Sequence, residues 1–137
     1  MTRFKVALAA VTVAVLLSGV PSVSAHHAVQ ASVDINNSVS AEGVLVKIDW
    51  VNPHIWMHFD FRRPDGTVVK NVAVEGLGIA ALRQVGISSK DALKLGVTYK
   101  INYYPFRSGE PGGFMNSMIL PDGRSFDITN SDPTALQ

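Results

Sequence analysis

The feature that most constrains the fold of this chain is the alternation of residue types in its middle third. Every second position of one stretch is apolar: Ile55, Met57, Phe59 and Phe61. The positions between them are mostly polar: His54, Trp56, His58, Asp60 and Arg62. Because successive side chains of a β-strand point to opposite faces, this pattern predicts a strand from His54 to Arg62 with one buried and one exposed face.

Similar segments on both sides of this strand indicate a mainly β domain. A first strand is predicted from Val39 to Trp50, although both of its faces are partly apolar, and Asn52-Pro53 ends it because proline cannot donate to a ladder. Pro64-Asp65-Gly66 predicts a turn. The remaining strands are predicted at about Thr67 to Glu75, Val97 to Tyr104, Phe114 to Leu120 and Arg124 to Ile128.

Between the third and fourth strands the apolar residues change to helical spacing. Leu77, Ala80, Ala81 and Val85 follow this spacing, Gly86 suits a C-cap, and Ser88 or Ser89 suits a new N-cap, so one or two short helices are expected. The element order predicts a small five- to six-stranded Greek-key barrel, OB-fold-like, with a helical connection between strands 3 and 4. Another small β-barrel or sandwich with a helical insertion is the alternative.

The first residues resemble a secretory signal peptide. Arg3 and Lys5 precede an apolar run from Val6 to Leu17, and Val23-Ser24-Ala25 offers small residues for cleavage. The run is too short to span a bilayer comfortably, and an uncleaved anchor is the alternative. The expected organisation is a signal peptide at 1–25, an extended N-terminal arm at 26–38, one β-barrel domain at 39–129 and a polar tail at 130–137, with no mature transmembrane segment. The mature protein is expected to be periplasmic or secreted.

Charge and motifs narrow the function classes. The chain has 12 Lys and Arg against 11 Asp and Glu, and cleavage near Ala25 would leave it slightly negative. No nucleic-acid partner is therefore expected, because such a partner requires a basic surface. The absence of cysteine excludes thiol catalysis and thiolate metal sites. Standard hydrolase, zincin, P-loop and dinucleotide motifs are also missing, so an enzyme is not expected.

The chain also resembles a family of short exported bacterial proteins classed as a domain of unknown function. The resemblance lies in His26-His27 after the leader, Asp49-Trp50-Val51-Asn52-Pro53-His54-Ile55-Trp56, Leu95-Gly96 and Leu120-Pro121-Asp122-Gly123-Arg124. Its most specific part is the Asn-Pro-His-x-Trp stretch. The resemblance implies export and a small β-rich domain, and it supplies no activity and no catalytic residues.

Two groups of residues are candidates for binding. The exposed face of the second strand carries His54, Trp56, His58 and Asp60, which suits an aromatic platform beside hydrogen-bonding groups. If His26 is the mature N-terminus, its α-amino and imidazole nitrogens can chelate Cu(II), or Zn(II), with His27 or His54 as a further ligand. His54 and His58 lie about 13 Å apart along a regular strand, too far to share one ion.

Each candidate also has a structural explanation. His26 and His27 could be a solvated terminus, His54 could stabilise the bend after Pro53, and both tryptophans could simply pack. Asp60 and Arg62 could form a surface ion pair. The leading hypothesis is a non-catalytic exported binding module, in which the His54, Trp56 and His58 face and the loop from Pro105 to Gly113 contact a small ligand, a glycan or a partner protein. A periplasmic copper or zinc protein is the alternative, and a copper oxidase with an N-terminal histidine is the least favoured.

Overall fold

A computed structural model describes residues 31–51, 53–87 and 92–127 of the chain. Within these ranges the protein is mainly β, with six strands and one short helix. The strands are β1 (Val39–Asp49), β2 (Trp56–Arg62), β3 (Val68–Glu75), β4 (Thr98–Pro105), β5 (Gly112–Ile119) and β6 (Ser125–Asp127), and the helix is α1 (Ile79–Gln84). Among the described residues there is no helix with the length and apolar character needed to cross a membrane.

The strands form a closed barrel with OB-fold-like topology, as predicted. The sheet order is β3-β2-β1-β4-β5-β6, and β3 also pairs with β5 in parallel, which closes five strands into a barrel and leaves β6 as an extra edge strand. The helix connects β3 to β4, as predicted from the change in period. It ends at Gln84 with Val85 as its C-cap, and Gly86 follows with φ of 85°, which is the usual place for a glycine after a helix.

Glycines make the closure possible. Gly112 and Gly113 are the first residues of β5, where it pairs with both β3 and β4. A Cβ atom at Gly112 would overlap the carbonyl oxygen of Ala73, and one at Gly113 would overlap that of Tyr104. The backbones of β3, β5 and β4 therefore approach each other more closely than any side chain allows.

The barrel interior holds the hydrophobic core. Five of its residues come from four different strands and are fully buried: Leu45, Met57, Phe59, Val74 and Met118. The described residues include no buried charged or polar side chain in this core. Val33, which lies within the predicted N-terminal arm, is also buried and forms a bridge with Phe106.

Several boundaries differ from the predicted ones. The second strand begins at Trp56 rather than His54, because His54 lies in the bend that follows Pro53. The first strand ends at Asp49 rather than Trp50, and β5 begins at Gly112, two residues earlier than predicted. The second helix predicted from Ser88 or Ser89 falls on residues outside the described ranges. The end of the predicted sixth strand, at Ile128, also lies outside them.

A β-bulge in β3 sets which of its residues face outward. Phe59 pairs with Val72 and Phe61 with Val69, so two steps along β2 correspond to three along β3. At this point Asn71 has φ of 55°, and its backbone N–H donates to Oδ1 of Asp60 at 2.8 Å. The extra residue turns the following positions of β3 so that Val72 and Val74 are buried, with the positions between them on the outer face.

A second bulge acts in the same way in β1. Leu45 pairs with Phe59, but Lys47 pairs with His58, so Val46 is the extra residue and is 37% exposed. The bulge explains why, if the first strand is treated as regular, apolar residues fall on both of its faces. Leu45 and Ile48 both pair with inward-facing residues of β2, although they are three positions apart.

The β3 bulge yields a stability prediction at Asn71. Replacing Asn71 with valine should lower the free energy of unfolding by about 1–2 kcal/mol, because a β-branched residue is disfavoured at positive φ. Asn71→Gly should stay within about 0.5 kcal/mol of the wild type, since glycine adopts this φ without steric cost. Urea denaturation measures both, with Lys70→Val as the matched control at the neighbouring exposed position. Equal losses for the two valine variants would contradict the role of Asn71.

Candidate functional site

Five polar and aromatic side chains lie together on the outer face of the barrel. In the register of the sheet, Trp56 pairs with Glu75 of β3 on one side and with Asp49 of β1 on the other. His58, two positions along β2, lies on the same face, and His54 contacts Glu75 from the bend before β2. We call these residues, His54, Trp56, His58, Asp49 and Glu75, the outer-face cluster.

His54 is held by a carboxylate on β3. Its Nδ1 lies 2.7 Å from Oε1 of Glu75, and the two side chains are only 16% and 20% exposed. A carboxylate accepts, so Nδ1 of His54 donates in this hydrogen bond. Within the described residues Nε2 has no hydrogen-bond partner.

The bend that carries His54 is fixed by the residues that follow β3. The N–H of Ile55 donates to the Leu77 carbonyl at 3.2 Å, and the N–H of Gly76 donates to the Ile55 carbonyl at 2.8 Å. The His54 ring also meets the buried ring of Phe114 edge to face, with centroids 5.9 Å apart. These contacts hold His54 in one place on the surface.

His58 forms the second histidine–carboxylate pair. Its Nε2 lies 2.9 Å from Oδ2 of Asp49, and Lys47 donates to the same oxygen at 2.8 Å. The hydrogen bond from Lys47, followed by that from His58, lowers the pKa of Asp49 below its ordinary value of 3.8. Asp49 is therefore ionised throughout the neutral range.

The second nitrogen of His58 is enclosed. Nδ1 of His58 is buried and has no hydrogen-bond partner among the described residues. A carboxylate only accepts, so Nε2 of His58 donates to Asp49, and this hydrogen bond holds the carboxylate in the row of Trp56.

The arrangement can accept hydrogen bonds around an aromatic ring. The indole of Trp56 is half-buried and lies between two carboxylates in the same row of the sheet. Each carboxylate has one oxygen engaged by a histidine and keeps further lone pairs for a ligand. The two carboxylates therefore offer several acceptors, which match a ligand that carries several O–H or N–H donors.

The structure groups three of the four predicted binding residues and separates the fourth. His54, Trp56 and His58 lie in the outer-face cluster, whereas Asp60 accepts the backbone N–H of Asn71 and stabilises the β3 bulge. The predicted pairing of Asp60 with Arg62 is wrong, since Arg62 instead donates to the Gly66 carbonyl at 3.4 Å.

Sequence reasoning missed the two carboxylates of the cluster. Asp49 and Glu75 have no spacing that relates them to each other, and the β3 bulge lies between Glu75 and the turn that sets simple register. A regular hairpin through the Pro64 to Gly66 turn would place Val74, not Glu75, opposite Trp56. The signal available in the sequence was Asn71, a residue that tolerates positive φ within a strand of valines.

The metal prediction cannot be located on the described residues. His26 and His27 lie outside them, and the part of the chain that the structure describes contains no group of three or more His, Asp or Glu side chains suited to one ion. His54, the third predicted ligand, is bonded to Glu75 through Nδ1.

The fold and the cluster define a small OB-fold-like domain with an aromatic and histidine–carboxylate outer face. The chain belongs to a family of unknown function, DUF6152, whose model matches residues 13–116. The predicted membership of a domain-of-unknown-function family is thus confirmed. No curated protein and no solved structure matches the chain.

The ion pairs of Asp49 predict a pH-dependent stability. Since folding lowers the pKa of Asp49, its carboxylate stabilises the protein above pH 3.8, and this contribution is lost as the pH falls through the lower value in the folded state. Asp49→Asn should therefore lower the melting temperature at pH 6, and the difference from the wild type should shrink towards pH 2. Thermal denaturation across this range measures it.

The matched control is Glu110→Gln, which removes a carboxylate from an exposed loop. Its difference from the wild type should be small at pH 6. A loss for Asp49→Asn that stays constant from pH 6 to pH 2 would show that packing, and not the charge, accounts for the effect.

Proposed function

We propose that the protein is exported and acts as a non-catalytic binding module that holds a glycan on the outer-face cluster. The observation that carries the proposal is the row of the sheet in which Trp56 lies between Glu75 and Asp49. Each of these two carboxylates is hydrogen-bonded to a different histidine. The other candidates of this class, a different small ligand or a partner protein, become outcomes of the test.

The aromatic ring supports a ligand with an apolar face. The C–H groups of a sugar ring form a flat apolar surface that can stack on an indole, and aromatic side chains contribute large contact area at low entropic cost. Trp56 is only half-buried, so part of its ring is accessible from solvent. The next row on the same face has a small side chain on β3, since Ala73 pairs with His58.

The hydrogen-bonding groups support a ligand rich in hydroxyls. Ionised carboxylates only accept, so the cluster pairs with O–H donors. Hydrogen bonds to charged groups are worth about 1.5–3 kcal/mol, roughly twice those between neutral groups. The two histidines fix both carboxylates before a ligand arrives, which reduces the entropy lost on binding.

The non-catalytic assignment rests on the sequence. The chain lacks cysteine and the standard catalytic motifs of hydrolases and of nucleotide-dependent enzymes. A binding role needs only the groups that the outer-face cluster supplies, namely one aromatic platform and fixed acceptors.

Binding to a glycan microarray tests the proposal, followed by titration of the best glycan against ¹⁵N-labelled protein. Trp56→Ala should weaken binding by about tenfold or more, because it removes the stacking surface. Glu75→Gln should weaken binding by a smaller factor, since the amide keeps one acceptor but loses the charge. Shift changes are expected at the backbone amides of His58 and Ala73, which pair with each other two positions along the strands from Trp56 and Glu75.

The matched control is Leu95→Ala, which truncates an exposed apolar side chain, 58% accessible, in the turn before β4. It should bind like the wild type. If no glycan on the array binds, and the wild type captures a protein that Trp56→Ala does not, the outer-face cluster recognises a protein instead. Glycan binding that survives Trp56→Ala would contradict the proposed site.

Export is tested by intact mass spectrometry of the protein recovered from outside the cytoplasm. We expect a mass that begins at His26, because Val23 to Ala25 offers small residues before the scissile bond. Adding one equivalent of Cu(II) to the same sample tests the alternative function. One retained copper, lost when an alanine is added before His26, would support a copper protein, and a mass that includes residues 1–25 would contradict cleavage.

A further inference from the structure

A second candidate site lies at the end of the barrel where β1 begins and β2 ends. A cavity of about 750 Å³ opens there, within the range of roughly 300–1,000 Å³ in which proteins hold small organic ligands. We call this end the barrel mouth. Its apolar lining comes from four strands and the loop 106–111: Ala41, Phe61, Val69, Val72, Tyr103 and Pro111.

Three aromatic rings form a stack that ends at the mouth. Phe59 and Phe61 lie 5.5 Å apart with an interplanar angle of 19°, and Phe61 and Tyr103 lie 6.0 Å apart with an angle of 15°. Phe59 is fully buried, whereas Tyr103 is only partly buried and lines the cavity. Near-parallel rings are a favourable arrangement, so one more flat ring can extend the stack into the cavity.

The polar groups of the mouth favour an anion. The charged residues that line the cavity are Glu42, Arg62 and Arg63. Glu42 is bonded to Lys100 at 3.0 Å, which neutralises it, while both arginines are exposed. Burial raises the pKa of the Tyr103 hydroxyl, which therefore stays protonated and can donate.

We propose that the barrel mouth binds a flat aromatic anion, with its ring on the Phe61 and Tyr103 stack and its carboxylate or sulfonate at Arg62 and Arg63. A guanidinium group suits a carboxylate because its N–H groups match both oxygens. This site is separate from the outer-face cluster, since none of its lining residues belongs to that cluster.

The test uses 2-naphthoate as the anionic probe and 2-naphthylmethanol as its neutral counterpart. Each is titrated into the protein recovered from outside the cytoplasm. The wild type should bind naphthoate, with shift changes at the methyl groups of Val69 and Val72. The neutral probe should bind roughly fivefold more weakly, because an exposed ion pair contributes up to about 1 kcal/mol. No binding of naphthoate, or shift changes away from these methyl groups, would overturn the proposal.

Three variants separate the parts of the site. Arg62→Gln combined with Arg63→Gln should remove the advantage of naphthoate over the neutral probe, whereas Arg83→Gln, on the exposed surface of α1, should keep it. Val69→Phe should fill part of the cavity and weaken both probes. If Val69→Phe does not fold, as judged by circular dichroism, the methyl shift changes in the wild type alone decide whether the probe binds at the barrel mouth. An advantage of naphthoate that persists in the double variant would overturn the role of the arginines.

Discussion

Closure of the barrel depends on the close approach of three backbones at the start of β5. Gly112 and Gly113 lie where β5 meets both β3 and β4, and an added Cβ at either would overlap a carbonyl oxygen. Only this approach allows the parallel pairing of β3 with β5, which removes the long sheet edges that would otherwise pair with other chains. The core, the outer face and the barrel mouth all follow from a barrel that is closed in this way.

The two bulges determine which side chains of β1 and β3 face the core and which face the outer surface. Each adds one residue to a strand, at Val46 in β1 and near Asn71 in β3, and so reverses which of the following side chains face inward. The core gains Val72 and Val74, while Asp49 and Glu75 come to lie beside Trp56. Asp60 accepts the N–H of Asn71 and so stabilises the bulge that sets the position of Glu75.

The two proposed sites use different chemistry on the same small barrel. The outer-face cluster offers acceptors around one indole and has fixed carboxylates, which favour hydroxyl-rich ligands. The barrel mouth offers stacked rings and two guanidinium groups, which favour a flat anion. An OB-fold-like barrel can carry both, since one lies on the outer surface of the sheet and the other opens between the strand ends.

The sequence by itself determined the strands, the turn at Pro64 to Gly66, the helix before β4 and the OB-fold-like order, because these depend on local periodicity and on residues with restricted φ. It also singled out His54, Trp56 and His58 as one face of the predicted second strand. Only the tertiary structure decided that Asp49 and Glu75 join them, since strand register depends on bulges and on pairing between distant segments. The cavity at the barrel mouth likewise arises only on closure, when side chains from four strands meet around one space.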